Sequence, residues 1–204
     1  MSGQVIVDIT MSLDGYVTAP GAGVEHGLGV DGEPLHEWVF NGAPANQKVL
    51  DDMVARSGAV VMGRRLFDVI DAPGGWSDDM GYGAERDQTV APPPVFVVTH
   101  EAPETWRLGD RFTFVTDGVH SAVAKARAAA GDRDVVVMGG GETCHAVLAA
   151  GLVDLLHIHL APLVLGGGTR LFPAEESTRI RLELVASVSA PAAEHLSYKV
   201  ITQG

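Results

Sequence analysis

The sequence is poor in cysteine, in basic residues and in long apolar runs. Cys144 is the only cysteine, which excludes an intrachain disulfide and a zinc site built from several cysteines. The 14 lysines and arginines stand against 26 aspartates and glutamates, giving a net charge of -12. This balance argues against nucleic acid or an anionic membrane as the main partner. Because the chain also lacks a transmembrane run and a signal-peptide pattern, we expect a cytoplasmic protein.

The pattern of apolar residues predicts an α/β fold. The 204 residues, of which 46% are hydrophobic, suffice for a single domain spanning residues 1–204. Strand-like runs at 5–11, 59–63, 95–100, 112–116 and 135–138 are separated by helical patterns or loops. Two alternating runs near the C-terminus, IRLELVASV and HLSYKVIT, predict an antiparallel hairpin. We therefore expect a mostly parallel central sheet with helices on both faces and a C-terminal antiparallel hairpin.

A glycine triplet follows one of the predicted strands, in VVVMGGGETCHAVL. Glycine permits positive φ and close approach of another group, and the start of a helix exposes unpaired N–H groups. Gly139, Gly140 and Gly141 therefore suit a phosphate, although a tight turn without a ligand fits the pattern about equally well.

Two arginines follow another predicted strand. Arg64 and Arg65 stand where a helix is expected to begin, a position where the helix dipole disfavours cations. A phosphate would offset that cost, since a guanidinium group matches phosphate oxygens in a bidentate manner. The alternative is a solvated arginine pair that forms surface ion pairs with carboxylates.

The order of these motifs resembles a known family. SLDGYV, VVMGRRLF, VFVVTH, VVVMGGGETCHAVL and LAPLVLGGGTRLF follow one another along the chain. This order is similar to that of the dihydrofolate reductase-like superfamily, in particular the branch with the reductase domain of the riboflavin-biosynthesis deaminase-reductase. The resemblance implies a homodimeric, NADPH-dependent reductase that transfers a hydride to a small heterocyclic or carbonyl substrate. The alternative is a dinucleotide-binding or interaction protein of the same fold without efficient turnover.

The same resemblance implies which residues hold NADPH. The arginine-bearing turn would hold the 2′-phosphate, the glycine-rich turn the pyrophosphate, and the end of the third strand the adenine half. Leu66 departs from the family, which usually has threonine or serine there. The implied cofactor-binding residues are Gly63, Arg64, Arg65, Thr99, His100, Gly139, Gly140, Gly141, Glu142 and Thr143.

Catalysis by such an enzyme needs a proton donor and a platform for the substrate. Asp14 follows the first strand and is one candidate acid, although Asp-Gly is also a common turn pair. Asp51 is the second candidate, one helical turn after Gln47, which stands where dihydrofolate reductases have an acid. Trp38 would stack on a flat substrate or anchor its loop, and Gly167 of the second glycine triplet would border the substrate.

His157 and His159 have the spacing of metal ligands on one face of a strand. No third ligand accompanies them in the sequence, and such pairs are more often solvated or at an interface. We therefore expect no metal.

Overall fold

A computed structural model describes residues 3–77, 81–82, 92–173 and 179–201. In this part of the chain, eight strands form one sheet in the order β5-β4-β3-β6-β1-β7-β10-β9, and β2 and β8 form a small second sheet. The first six strands of that order, from β5 through β4, β3, β6 and β1 to β7, are parallel to one another. β10 is antiparallel to β7, and β9 is antiparallel to β10. The strands are β1 Val5–Ser12, β2 Tyr16–Thr18, β3 Ser57–Gly63, β4 Val95–Val98, β5 Phe112–Val115, β6 Asp134–Val137, β7 Leu155–Ala161, β8 Thr169–Arg170, β9 Arg181–Ala190 and β10 Ala193–Ile201.

Helices cover both faces of the sheet, as the sequence predicts. One face packs on α4 and α5, and the other packs on α2 and α3. Because alternate residues of β1, β3 and β6 are buried on opposite faces, these strands are almost continuously apolar. The helices are α1 Glu37–Phe40, α2 Pro44–Arg56, α3 Arg64–Asp71, α4 Gly118–Ala130 and α5 Gly141–Ala149, with a 3₁₀ turn at Glu33–His36 before α1.

The predicted C-terminal hairpin is confirmed, and its outer strand lies at the edge of the sheet. β9 pairs only with β10 among the described strands, and nearly all of its side chains are exposed. Large apolar groups are among them: Leu184 and Val185 are 55% and 52% exposed. Such an edge leaves backbone groups and apolar side chains without a covering element.

The two irregular segments differ in how far the structure describes them. Residues 18–43 lie against the carboxyl ends of the strands and include the turn and helix at 33–40. Half of the predicted insertion at 71–94, namely positions 78–80 and 83–91, lies outside the described residues.

Candidate active site

A cavity of about 1560 Å³ opens at the carboxyl ends of β1, β3, β4 and β6. Parallel strands present their carboxyl ends at the same edge of a sheet, so residues far apart in sequence meet there. The cavity is lined by every residue that the resemblance assigns to the dinucleotide, from Gly63 to Thr143. Asp51 and Trp38 also line it, whereas Asp14 and Gly167 are absent from its wall.

The glycines at these strand ends differ in their backbone conformation and in the space that a side chain would have. Gly139 has φ 137°, which disfavours any side chain. A Cβ at Gly63 would collide with Thr143 Oγ1, and one at Gly141 would lie 2.6 Å from Val17 Cγ2. Gly140 has φ -67° and ψ -179°, and a Cβ there would meet no described atom within 4 Å. Packing therefore explains Gly63 and Gly141, but the space beside Gly140 is open.

Gly63 and residues 139–141 form a cradle at these strand ends, and backbone hydrogen bonds hold it together. Gly63 N–H donates to Gly139 O at 2.7 Å, and Cys144 N–H donates to Gly140 O at 3.0 Å. Helices α3 and α5 begin after Gly63 and Gly140, and neither N-terminus has a side-chain cap. Two uncapped helix starts at one cavity form a setting that favours an anion. The residues present therefore fit a dinucleotide pyrophosphate.

Arg64 and Arg65 both form contacts with carboxylates or a carbonyl. Arg64 donates to Asp68 Oδ1 at 2.7 Å and to the Glu101 carbonyl at 2.9 Å. Arg65 donates to Glu142 Oε1 at 2.6 Å, and these two side chains are 78% and 70% exposed. Exposed pairs of this kind contribute about 0–1 kcal/mol, so a phosphate can displace them. Both arginines thus line the cavity and are paired with acceptors of the chain. Their role in binding a phosphate stays a prediction.

Thr99 and His100 follow β4 at the same edge. Thr99 is buried, and its hydroxyl donates to the Glu101 carbonyl at 2.7 Å. His100 is exposed and lines the cavity. Thr99 shapes the turn, while His100 is the one of the two with a free surface for a ligand.

The carboxylate of Asp14 is held by hydrogen bonds at the end of β1 and in the loop after β7. Its carboxylate accepts hydrogen bonds from Ser12 Oγ at 2.7 Å, Leu165 N–H at 3.1 Å and Gly166 N–H at 2.7 Å. The Ser12 bond, reinforced by those from Gly166 and Leu165 against the effect of burial, lowers the pKa of Asp14 to about 2. Asp14 fixes the loop after β7 to the end of β1, and its role as a proton donor stays a prediction.

Asp51 lies on the cavity side of α2. Its carboxylate is exposed and accepts a hydrogen bond from Gln47 Nε2 at 2.9 Å. Both residues line the cavity. A catalytic role for Asp51 stays a prediction.

Trp38 and Gly167 are the two residues expected to contact the substrate, and only Trp38 lines the cavity. Trp38 is 3% exposed, and its indole N–H donates to Thr10 Oγ1 at 3.0 Å. Its ring lies 4.3 Å from that of His159. Trp38 is therefore a loop anchor, the alternative that the sequence left open. Gly167 lies against Pro20, away from the cavity wall, because the second glycine triplet turns toward Pro20.

A buried polar network lies beside Trp38. Asp8 Oδ1 is 3.2 Å from His159 Nε2, and His159 Nδ1 is 2.8 Å from His195 Nδ1. His195 Nε2 is 2.8 Å from Asn46 Oδ1. Asp8 and His159 line the cavity, so the network reaches from its wall into the interior.

The titration of this network is set by burial and by mutual charge. Burial of Asp8 alone would favour its neutral form, but the charge of His159 and hydrogen bonds from His157 and His159 hold its pKa well below the usual range. Burial, followed by the charge of His159, lowers the pKa of His195 to about 4. The same two causes lower the pKa of His36 to about 4.

The histidine pair on β7 is not solvated, which was one of the two arrangements expected for it. His159 is 4% exposed, and His157 Nδ1 lies 3.5 Å from Asp8 Oδ2. Parallel pairing of β1 with β7 places Asp8 beside His157 and Thr10 beside His159. Among the described residues, no group of three or more metal-ligating side chains is suitably arranged for a metal.

Residues 4–193 match the model of the RibD C-terminal domain. The chain belongs to the RibD C-terminal domain family. Membership supports a reductase-type function and assigns the chain to the dihydrofolate reductase-like superfamily. No match is found among curated proteins.

Solved structures with the fold of this RibD C-terminal domain come from several bacteria. A Shewanella sp. PV-4 protein described as a riboflavin biosynthesis protein is 22% identical, with a TM-score of 0.68 over 98% of this chain and 99% of that one. Enterococcus faecalis dihydrofolate reductase, complexed with NADP(H), is 15% identical, with a TM-score of 0.58 and 98% of each chain covered. The Thermotoga maritima diaminohydroxyphosphoribosylaminopyrimidine deaminase/5-amino-6-(5-phosphoribosylamino)uracil reductase is 14% identical, with a TM-score of 0.58. The alignment covers 98% of this chain and 57% of the Thermotoga chain. At these identities the likeness shows the fold.

Sequence reasoning about this RibD C-terminal domain missed Asp8, His195 and Asn46. Asp8 carried a usable signal, since it is a charged residue within a strand whose other positions are almost all apolar. His195 and Asn46 carried none, because 149 positions separate them in sequence. None of the helices in the described part is long and apolar enough to cross a membrane.

Proposed function

We propose that the chain is an NADPH-dependent reductase of a small heterocyclic or carbonyl compound, acting as one reductase domain in the cytoplasm. The observation that carries this proposal is the open space beside Gly140, at a cavity that also holds two uncapped helix starts and two arginines. NADPH supplies a hydride when bound. The chain's own residues hold it, position the acceptor and provide a proton.

The roles follow the chemistry of each residue at the cavity. Backbone N–H groups at the start of α5, in Gly141, Glu142 and Thr143, hold the pyrophosphate. Arg64 and Arg65 hold the 2′-phosphate and thereby select NADPH over NADH. The exposed ring of His100 lies against the adenine half, and Thr99 shapes the turn that presents it.

The charges along the cavity limit the class of substrate that it would bind. Of the described lining residues, only Arg64 and Arg65 are lysine or arginine, and both belong to the cofactor end. The side formed by β1 and α2 contributes Asp8, Gln47, Asp51 and apolar groups such as Leu50. A phosphoribosyl substrate, such as the one in the name of the Thermotoga enzyme, would find no second basic cluster in the described wall. We therefore propose a neutral or cationic acceptor without a phosphate group.

The second candidate is a dinucleotide-binding protein of the same fold without efficient turnover. It is favoured by the engagement of Asp14 in loop hydrogen bonds and by Gln47 at the place of an acid. Oxidation of bound NADPH on addition of carbonyl and imine compounds separates the two candidates. Turnover with any acceptor favours the reductase.

The first experiment is a titration with NADPH and NADH, followed by cofactor fluorescence. We expect NADPH to bind more tightly, and Arg64→Ala or Arg65→Ala to weaken NADPH by about 1.5–3 kcal/mol with little effect on NADH, because one charge-assisted contact is lost. Lys48→Ala is the matched control, since it removes an exposed ion pair with Asp52 outside the cavity. Equal losses for both nucleotides would contradict the role of the arginines, and no binding at all would contradict the cradle.

We also propose a homodimer that forms through β9. The support is the row of exposed apolar side chains on an edge strand, including Leu184 and Val188, which are 55% and 43% exposed. Patches of this kind mark contact surfaces. Edge-to-edge pairing of two copies would satisfy the outer backbone groups of β9.

A further inference from the structure

The hydrogen bonds around His159 fix how many protons it carries. Asn46 is 1% exposed, and its Nδ2 donates to the Pro191 carbonyl at 3.0 Å and to Asn41 Oδ1 at 2.9 Å. A carbonyl oxygen can only accept, so the amide of Asn46 has one orientation and turns its Oδ1 toward His195. The assignment of protons to the ring nitrogens can therefore start from Asn46, the fixed end of the network.

From that end, each partner determines the next. Asn46 Oδ1 accepts, so His195 Nε2 carries a proton and donates at 2.8 Å. His195 is neutral, because burial lowers its pKa to about 4. Its Nδ1 is then an acceptor, and the 2.8 Å contact requires a proton on His159 Nδ1.

The other face of His159 meets Asp8. His159 Nε2 lies 3.2 Å from Asp8 Oδ1, and this contact also requires a proton between the two atoms. With Nδ1 already protonated, His159 is an imidazolium paired with the Asp8 carboxylate. The same proton count describes a neutral imidazole beside a protonated Asp8, so the pair holds one transferable proton.

We propose that Asp8 and His159 share this proton and donate it to the substrate in the reduction, an inference that rests on the proposed function. The two groups line the cavity and lie on β1 and β7, and β1 is adjacent to β6, the strand that leads into the glycine cradle. The side chain of Asp8 is 18% exposed and that of His159 is 5% exposed. The proton therefore leaves the pair through Asp8, and His159 is the residue that supplies it.

The step balances in protons and electrons. The one transferable proton is on His159 Nε2 at the start. The N–H bond breaks, its electron pair stays on the ring, and the proton passes through Asp8 to the oxygen or nitrogen of a C=O or C=N group, whose carbon receives the hydride that the proposed cofactor would supply. The pair ends as a carboxylate and a neutral imidazole and regains one proton from water. His195 and Asn46 are positioning residues, since they act through His159.

Other polar and titratable groups lie close to the pair. These groups are Thr10 on β1, His36 on the 3₁₀ turn, Trp38 on α1, Asn46 on α2, His157 on β7 and His195 on β10. Burial and then the charge of Asp8 raise the pKa of the Cys144 thiol on α5. A measurement of histidine protonation must therefore resolve each of the four imidazole rings separately.

The first test needs no substrate. Long-range ¹⁵N–¹H NMR of the full chain, without added cofactor, reports the protons on each histidine ring. At pH 7 we expect both nitrogens of His159 to be protonated and His195 to be protonated at Nε2 alone. Asp8→Asn, a nearly isosteric change, should leave His159 neutral at the same pH. A neutral His159 in the wild-type protein would overturn the proposal.

A variant of the positioning residue Asn46 tests whether its amide determines which nitrogens of His195 and His159 are protonated. Asn46→Leu frees the tautomer of His195, whose Nδ1 can then donate to a neutral His159. At pH 7 we expect His159 to lose the proton from one ring nitrogen in this variant. A His159 ring that keeps both protons would contradict the fixed end at Asn46. The wild-type spectrum decides the main point even if this variant does not fold.

The second test uses an acceptor found among the carbonyl and imine compounds described above. Asp8→Asn should lower kcat by about 10²-fold while the Kd for NADPH stays near the wild-type value. The decline of the wild-type rate with rising pH should disappear in this variant. Wild-type turnover by Asp8→Asn would overturn the donor role. If no acceptor is reduced, the proposed function fails and the donor role with it, whereas the NMR spectrum still shows whether the pair holds a proton.

Discussion

Gly140→Ala separates a phosphate cradle from an ordinary tight turn. The backbone at Gly140, with φ -67° and ψ -179°, is accessible to alanine, and a Cβ there would meet no described atom within 4 Å. The free protein should therefore keep its stability or gain about 0.4–1 kcal/mol, since alanine restricts the unfolded chain. A bound dinucleotide would fill the same space. Intrusion of a methyl group costs about 1–3 kcal/mol, which corresponds to about 5- to 150-fold weaker NADPH binding.

Two controls make this experiment decisive. Gly141→Ala introduces a Cβ 2.6 Å from Val17 Cγ2 and 3.0 Å from Thr169 Cγ2, so it should lower Tm where Gly140→Ala does not. Adenosine 2′-monophosphate carries the 2′-phosphate but no pyrophosphate, so its affinity should be the same for wild type and Gly140→Ala. Thermal unfolding and fluorescence titration give both quantities. Unchanged NADPH affinity in a folded Gly140→Ala variant would refute the cradle.

Three further outcomes follow from charges and exposed surfaces. Glu142→Gln removes a carboxylate from the cavity and weakens the hold on Arg65, so NADPH should bind up to about fivefold more tightly by titration. His195 and His36 have folded pKa values of about 4, below the ordinary 6.5, so the unfolded chain binds more protons and Tm should fall as pH drops from 6.5 to 4; an equal Tm across that window would contradict their burial as neutral rings. Leu184→Glu places a charge on β9 and should convert a dimer to a monomer in light-scattering chromatography, while a wild-type monomer would contradict the proposed contact.

The sequence predicted the sheet well because burial on both faces leaves a strong signal. β1, β3 and β6 are buried on both faces, and such strands read as continuous apolar runs. The hairpin of β9 and β10 was equally readable from its alternation. The residues of the cavity wall at the ends of these strands could be predicted because parallel strands end at one edge.

The proton donor could not be predicted in the same way. Asp14 follows a strand within a turn motif, and only the structure shows its carboxylate bound by Gly166 N–H from 152 positions away. Asp8 stood out as a charged residue in an apolar strand, yet its partner His159 lies 151 positions away. Local patterns report which residues are buried, but pairing across such distances depends on the strand order.

The strand order places the residues proposed for the chemical step and the segments proposed to contact the substrate in different parts of the fold. The cradle and the Asp8–His159 pair belong to β3, β6, β1 and β7, which are adjacent strands at the centre of the sheet. The opposite wall includes α2 and the segment from 18 to 43, which lie outside this sheet. Exchange of these outer segments with those of a relative would therefore change the substrate of the proposed reductase and leave the residues of the cradle and of the Asp8–His159 pair in place.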